Sequence, residues 1–434
     1  MSQAEALSDE RKYRRKLLRL LSAATFFEGY DNYVLSFVLA PTIAFFGASE
    51  SSVGGLNLIV RIGTVLSFVL AAQADRLGRK RLLLITIVGY TVATVATALA
   101  PSLATVAYMQ AVAQIFIGAE WAVAITMVVE EFPPNERGRG LGIVTSMQTF
   151  GAIAVGILGF AGLNEIGIFG PDEGWRAFYL VGIIPLVLIA FGRRGLREPE
   201  RHTAVREDSS LDHISIWEPW KPAIRKILIP VGLVQFLRFT AVSSAAFWWA
   251  YYAQEEVGMT VALSGIFLAA SGLVGALGFF VAGRLMDRIG RIPTFVGYMV
   301  GALVTGIATF NIDQPWVMFP FFCLSIFFGL GSVAVTSAMA TEPFPTYVRS
   351  RAGAWNRNAM EIGGGLIGAS VVGVLGDSTT GALGSIGNAM TWLFVATVPL
   401  CALVAWRFVP ETKDRDLAAQ DLAVGTPGPA GLGA

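Results

Sequence analysis

Seven ionisable side chains stand inside long apolar stretches of this sequence: Glu28, Asp31, Arg61, Glu120, Arg238, Arg357 and Glu361. At the centre of a membrane helix each costs about 2.5–3.5 kcal/mol, so such residues are expected to face a wet cavity or one another. Two chemistries suit them. Glu28 and Asp31 are three residues apart and share a helix face. Two neighbouring carboxyl groups resist ionising together, a property fitted to taking up and releasing a proton. We assign the proton to Asp31, with Glu28 tuning it and Glu120 as a further candidate on its path. The second chemistry is anion binding. A planar guanidinium grips a carboxylate through two parallel hydrogen bonds, and Arg238 has no opposite charge within a turn of its own helix. Structural roles compete with these. Asp31 is also a candidate fixed partner for Arg61 or Arg238, and Glu120 for Arg137 or Arg349. Arg357 and Glu361, four residues apart, are expected to form an ion pair that borders the same site.

The elements that must position these groups are membrane helices. Of 434 residues, 54% are hydrophobic and 15% charged, against about 25% charged in soluble domains. That excludes a soluble enzyme and a disordered chain. A net charge of +1 gives no reason to expect nucleic acid as a partner. Cys323 and Cys401 lie in apolar runs, and His202 and His213 share one polar stretch. No metal or cofactor site is therefore expected among the apolar segments.

A helix crosses the hydrocarbon core in about 20 residues. Residues 82–119 contain no charge and are divided by Pro101-Ser102, which reads as a helical hairpin. On this basis we place spans 1 to 6 near 20–45, 53–74, 82–100, 104–128, 141–162 and 177–192. Spans 7 to 12 fall near 227–253, 260–283, 293–311, 316–340, 352–376 and 387–408. The N-terminal apolar stretch contains Glu28 and Asp31 and is too long for a cleavable signal. Twelve spans put both termini on one side, and the loops of that side hold 28 of the 32 Lys and Arg residues. By the positive-inside rule this basic side is cytoplasmic. Asp31 and Arg238 each lie eleven residues into their spans, about 16 Å deep at 1.5 Å per residue, near the midplane.

The chain repeats itself. The loop after span 2 reads Ala71-x-x-x-Asp75-Arg76-x-Gly78-Arg79-Lys80, and that after span 8 Gly283-x-x-x-Asp287-Arg288-x-Gly290-Arg291. The loop after span 4 has Glu130-Glu131-Phe132-Pro133 with Arg137; the loop after span 10 has Glu342-Pro343-Phe344-Pro345 with Arg349. Both motifs recur at an offset of 212 residues, which marks a duplicated half. The expected domains are a six-helix bundle over 1–192, a linker over 193–226, a second bundle over 227–409 and a tail over 410–434.

The twice-repeated D-R-x-G-R loop resembles the signature of the major facilitator superfamily, over nearly the whole chain, with Ala71 where glycine is usual. That resemblance implies an all-α membrane fold of two pseudo-symmetric bundles. It also implies that Asp75, Arg79, Glu130 and Glu131, and their counterparts Asp287, Arg291 and Glu342, latch the basic side shut. Phe27-Glu28-Gly29-Tyr30-Asp31 is similar to the span 1 motif of aromatic acid:proton symporters, which brings Tyr30 among the substrate-binding candidates. Gly118-Ala119-Glu120-Trp121 is similar to metabolite:proton symporters, and Pro410-Glu411-Thr412-Lys413 to the end of sugar porters. Gln114 stands where an arginine is common, and residues 151–162 lack the Gly-Pro motif of drug exporters, which counts against an efflux carrier.

The expectation is a monomeric, proton-driven uptake carrier for a small organic anion, a carboxylate with aromatic ones included, in the plasma membrane. It works by rocking two halves about a midplane site that includes Arg61 and Arg238. Gln148 and Gln235 are candidate donors to the substrate or, alternatively, packing residues. The aromatic run 247–252 is expected to form a belt at the outer interface, or else an outer gate. A sugar or polyol carrier of the same fold is the first alternative. An enzyme is not expected, since the spans offer neither histidine nor a metal-spaced carboxylate cluster.

Overall fold

The structure, a computed structural model, describes residues 3–71, 73, 77–132, 134–165, 172–181, 183–193, 217–345, 348, 351–353 and 355–413. All regular structure among them is helical. Ten helices are each long and apolar enough to cross a bilayer. The remaining two spans are built in pieces: span 1 as Gln3–Phe37 and Leu39–Phe46, span 6 as Trp175–Val181 and Ile183–Arg193. Bulky apolar side chains such as Val92, Phe280, Trp316 and Trp406 are exposed, as a lipid-facing surface requires and a water-facing one does not tolerate.

Local chemistry sets the ends. Ser102, Thr260 and Ser385 start spans 4, 8 and 12, each hydroxyl accepting a backbone N–H three residues on. Pro101-Ser102 thus makes the hairpin turn expected of it. Span 1 begins well before residue 20, because charge pairs one turn apart, Lys12 with Asp9 and Arg14 with Glu10, stabilise its polar start. Span 7 begins at Pro222, inside the stretch assigned to the linker, with proline at its first turn. Gly78 and Gly290 occupy the same place in the two repeats, immediately before spans 3 and 9, with φ of 91° and 105°. A side chain there would strain the turn, which explains the glycine in both repeated loops.

Spans 2 and 4, 1 and 5, and 3 and 4 pack together, as do spans 8 and 10, 9 and 10, and 7 with 11 and 12. The two sets meet where span 5 lies on span 8 and span 2 on span 11. At the first seam Gly156 and Gly265 let the backbones touch: a Cβ on Gly156 would lie 2.5 Å from the Gly265 carbonyl oxygen. Both seams are tight toward the end opposite the basic loops.

Candidate functional site

A cavity of about 450 Å³ lies between the two sets of helices, lined from spans 1, 2, 4, 5, 7, 10 and 11. It runs from Asp31 and Arg61 in mid-span to Ala71, the last residue of span 2, and so reaches the basic end. The opposite end is sealed. Tyr251 and Ser378 donate to the Glu50 carboxylate at 2.8 and 3.2 Å. The Ser51 N–H donates to Asp377 at 3.1 Å, Ser370 to the Gly54 carbonyl at 3.0 Å, and Gln254 to the Phe37 carbonyl at 3.3 Å.

Asp31 and Arg61 both line the cavity, yet they are not joined by a hydrogen bond. Asp31 is 4% exposed and accepts from the Thr94 hydroxyl of span 3 at 2.9 Å. Arg61 reaches across to span 7 and donates to the Ser243 hydroxyl at 3.1 Å. Arg238 has taken an acid from another helix, but not Asp31: its Nη2 meets Glu361 Oε1 at 2.6 Å. Its Nε and Nη1 have no partner among the described residues.

The expected Arg357–Glu361 pair is corrected by the same contact. Residues Trp355–Glu361 form a π-helix, Glu361 turns to Arg238, and the Arg357 guanidinium sits 3.7 Å over the ring of Trp121 in span 4. Arg61 and Arg357 therefore stand in the cavity without a hydrogen-bonded carboxylate partner among the described residues.

Glu120 is corrected too. It pairs with Arg193, at 2.6 Å, both side chains fully buried; of the expected partners, Arg349 and the side chain of Arg137 lie outside the described residues. Arg193 belongs to the last turn of span 6, not to the linker. Glu28 is also fully buried, outside the cavity lining, and neither of its oxygens has a hydrogen-bond partner among the described residues. Glu120 and Arg193 are its charged neighbours. Tyr30 does not line the cavity; its hydroxyl donates to the Phe178 carbonyl at 2.7 Å, within the first set of spans. Gln235 likewise makes a packing bond, to the Thr336 carbonyl at 3.5 Å. Gln148 does line the cavity. The aromatic run is buried from Phe247 to Tyr252, so it is no lipid-facing belt.

The lining also contains neutral side chains that sequence reasoning passed over. Gln114 donates to Asn32 at 2.8 Å and accepts from Thr64 at 3.3 Å. Tyr33, Asn57, Trp121 and Ser243 complete the polar and aromatic wall. Asn32 and Tyr33 directly follow Asp31 in sequence, the one signal that would have found them.

Of the repeated loops, Asp75, Arg76 and Arg349 lie outside the described residues, as do the side chains of Glu130 and Arg137. Arg79 is buried and Glu131 half-buried. Of the second copy, residues 283–291 and 342–345 are described. Arg291 grips Glu342 with two bonds of 3.0 Å. Asp287 stands 3.9 Å from Arg291 and is mostly exposed, so it does not cap the next helix. Glu411 does. It accepts the N–H groups of Arg291 and Ile292 at 3.0 and 2.9 Å, where the dipole of span 9 favours an anion. Burial pushes the Glu411 carboxyl up, but four backbone N–H bonds, from Arg291, Ile292, Lys413 and Thr412, outweigh it and hold the group below its ordinary range. Lys413 adds a bond to the Arg288 carbonyl at 2.8 Å.

The description of the Major Facilitator Superfamily matches residues 21–367 and 231–425, which together take in nearly the whole chain. The chain belongs to the Major Facilitator Superfamily. It is therefore a multi-pass membrane transporter and not an enzyme. Its relatives include a putative niacin/nicotinamide transporter of Bacillus subtilis, 25% identical over 366 residues, which span 83% of this chain and 88% of that protein. A cis,cis-muconate transport protein of Acinetobacter baylyi is 23% identical over 402 residues, covering 88% and 93%. Among solved structures, a D-xylose–proton symporter superposes with a TM-score of 0.76 at 19% identity, over 93% of this chain and 99% of that one.

Proposed function

We propose that the chain is a proton-coupled symporter importing a small organic anion, a carboxylate, across the plasma membrane with both termini cytoplasmic. The observation that carries this reading is the charge of the cavity. Among the described lining residues three guanidinium groups, Arg61, Arg238 and Arg357, face two carboxyl groups, Asp31 and Glu361, the latter paired with Arg238, so the site is cationic. A carboxylate on Arg61 supplies the missing anion through a charge-assisted hydrogen bond. Asp31, held by one hydroxyl and open to the same cavity, is the proton carrier. Glu28, buried beside Glu120 and Arg193, is the tuning residue in this reading. The niacin/nicotinamide and muconate relatives support the substrate class.

In this reading the cavity faces the cytoplasm. The bundles 1–192 and 227–409 rock about it, the outer seam opening as the basic end closes. Arg291, Glu342 and Glu411 brace the second half on that side.

Uptake into proteoliposomes tests the assignment. Arg61→Gln is expected to lower carboxylate affinity at least tenfold. Unchanged affinity in that variant would sink the anion site. The cavity amides Asn32, Asn57 and Gln114 favour a sugar or polyol as the second reading. Labelled hexoses that compete with carboxylates would promote it.

A further inference from the structure

We propose that the second half holds a chamber for the far end of the transported anion. It accepts a short apolar group carrying one hydrogen-bond acceptor. This rests on the carboxylate reading above and adds the chemistry at the opposite end of the molecule.

A smaller cavity of about 70 Å³ lies among spans 7, 9, 10 and 12. Tyr33, Val242, Ala246 and Leu330 line both it and the central cavity, so the two share a wall. Tyr33, on that wall, lines the central cavity together with Arg61. An anion held by Arg61 thus has the wall beside it. Past the wall the chamber is aromatic. Trp249 and Phe322 lie parallel with ring centroids 3.8 Å apart, and Phe310 and Phe394 close the far side.

Size fixes how much enters. An engineered apolar cavity of about 150 Å³ holds benzene and stays dry when empty. A chamber of about half that volume takes two or three heavy atoms rather than a ring. Its polarity fixes what kind. Thr309 in the lining has already given its hydroxyl to the Thr305 carbonyl at 2.7 Å. Trp249 is 2% exposed, and its indole N–H has no acceptor among the described residues. A buried donor left unpaired is costly, and a substrate atom that accepts from it recovers the loss. Rejection of analogues without that atom follows from the same cost.

The test uses the full chain in lipid nanodiscs and three probes: benzoate, 4-ethylbenzoate and 4-methoxybenzoate. Titration calorimetry is expected to show 4-ethylbenzoate binding about tenfold tighter than benzoate, from two more buried carbons. The methoxy compound, similar in size but with an acceptor, is expected to gain about another fivefold. Trp249→Phe keeps the stack on Phe322 and removes the donor. It should erase only the methoxy advantage. Ser325→Leu fills the chamber and should bring both substituted probes down to benzoate, leaving benzoate unchanged.

Equal affinity of the three probes for the wild type, or equal losses for all three in Trp249→Phe, would overturn the chamber. So would a Ser325→Leu protein, folded by its thermal unfolding, that still ranks the probes as the wild type does. If no probe binds, or binding ignores Arg61→Gln, the carboxylate reading fails and the chamber falls with it. Binding that needs Arg61 but ignores both chamber variants overturns the chamber alone.

Discussion

A carboxyl group and a guanidinium that share a cavity without bonding each other keep both available. Asp31 spends one oxygen on Thr94, and Arg61 spends one nitrogen on Ser243. Asp31→Asn is therefore expected to abolish concentrative uptake while leaving substrate counterflow, which needs no net proton movement. Loss of both together would assign Asp31 to substrate binding instead. The Glu120–Arg193 pair behaves differently, since both members are fully buried. Removing one partner strands the other, so Arg193→Ala should cost about 3–5 kcal/mol, read as a lowered thermal unfolding midpoint. The double change Glu120→Leu with Arg193→Met should recover most of it. Sequence alone exposed Asp31, Arg61, Arg238 and Glu120, because a charge in an apolar run is costly and stands out. It hid their partners, which lie 63 to 182 residues away. Arg193 was masked by the arginines that follow it, and the neutral Asn32, Tyr33 and Gln114 carry no comparable penalty to mark them.

Two helical features decide how the spans present these groups. The π-helix over Trp355–Glu361 turns Arg357 and Glu361 to different partners, Trp121 and Arg238. Such segments concentrate at functional sites, and an apolar pattern does not reveal them, since hydrophobic spacing in span 11 remains helical. The other feature is the start of span 9, where Glu411 caps the helix opened by Gly290. Glu411 is held below its ordinary range. A carboxylate depressed in the folded state adds stability above its unfolded pKa of about 4.3, and loses it as pH falls through the folded value. Amide exchange at residues 409–413, expressed relative to its intrinsic rate at each pH, should therefore stay slow at neutral pH and quicken only below about pH 4. Glu411→Gln should quicken it at neutral pH and match the wild type in acid. A wild-type exchange rate indifferent to acid would show that the cap does not anchor the tail. The P-E-T-K run was visible in the sequence, but its docking target was not.

At the scale of the molecule, the repeat at an offset of 212 residues and the one-sided basic loops specified the helix count and the pairing of motifs before any coordinates. Which end stands open depends on the seams between the halves, and those are made of serines and glycines with Glu50, Asp377, Tyr251 and Gln254, in no distinctive pattern. Ser370 and Gly54 touch across the outer seam, a Cβ on Gly54 lying 3.5 Å from the Ser370 Cα. Oxidising a Gly54→Cys/Ser370→Cys pair should stop transport and spare labelling of a cysteine at position 71 from the basic side. Reductant should restore transport. Continued transport in the fully oxidised protein would mean that the outer seam does not open.

In the proposed reading, the guanidinium of Arg61, which has no hydrogen-bonded carboxylate among the described residues, also places the carrier under electrical control. A fixed charge near the midplane is wired by the flooded cavity to whichever compartment the cavity faces. Moving one charge through the whole field is worth about 2.3 kcal/mol per 100 mV, and this geometry samples a part of it. With the interior negative, the vacant carrier is drawn toward its inward-open posture. Voltage, and not the chemical gradient alone, then sets how often the empty protein presents itself to the outside. Steady-state uptake at saturating proton and substrate should slow as the interior is made more negative, and Arg61→Gln should flatten that dependence.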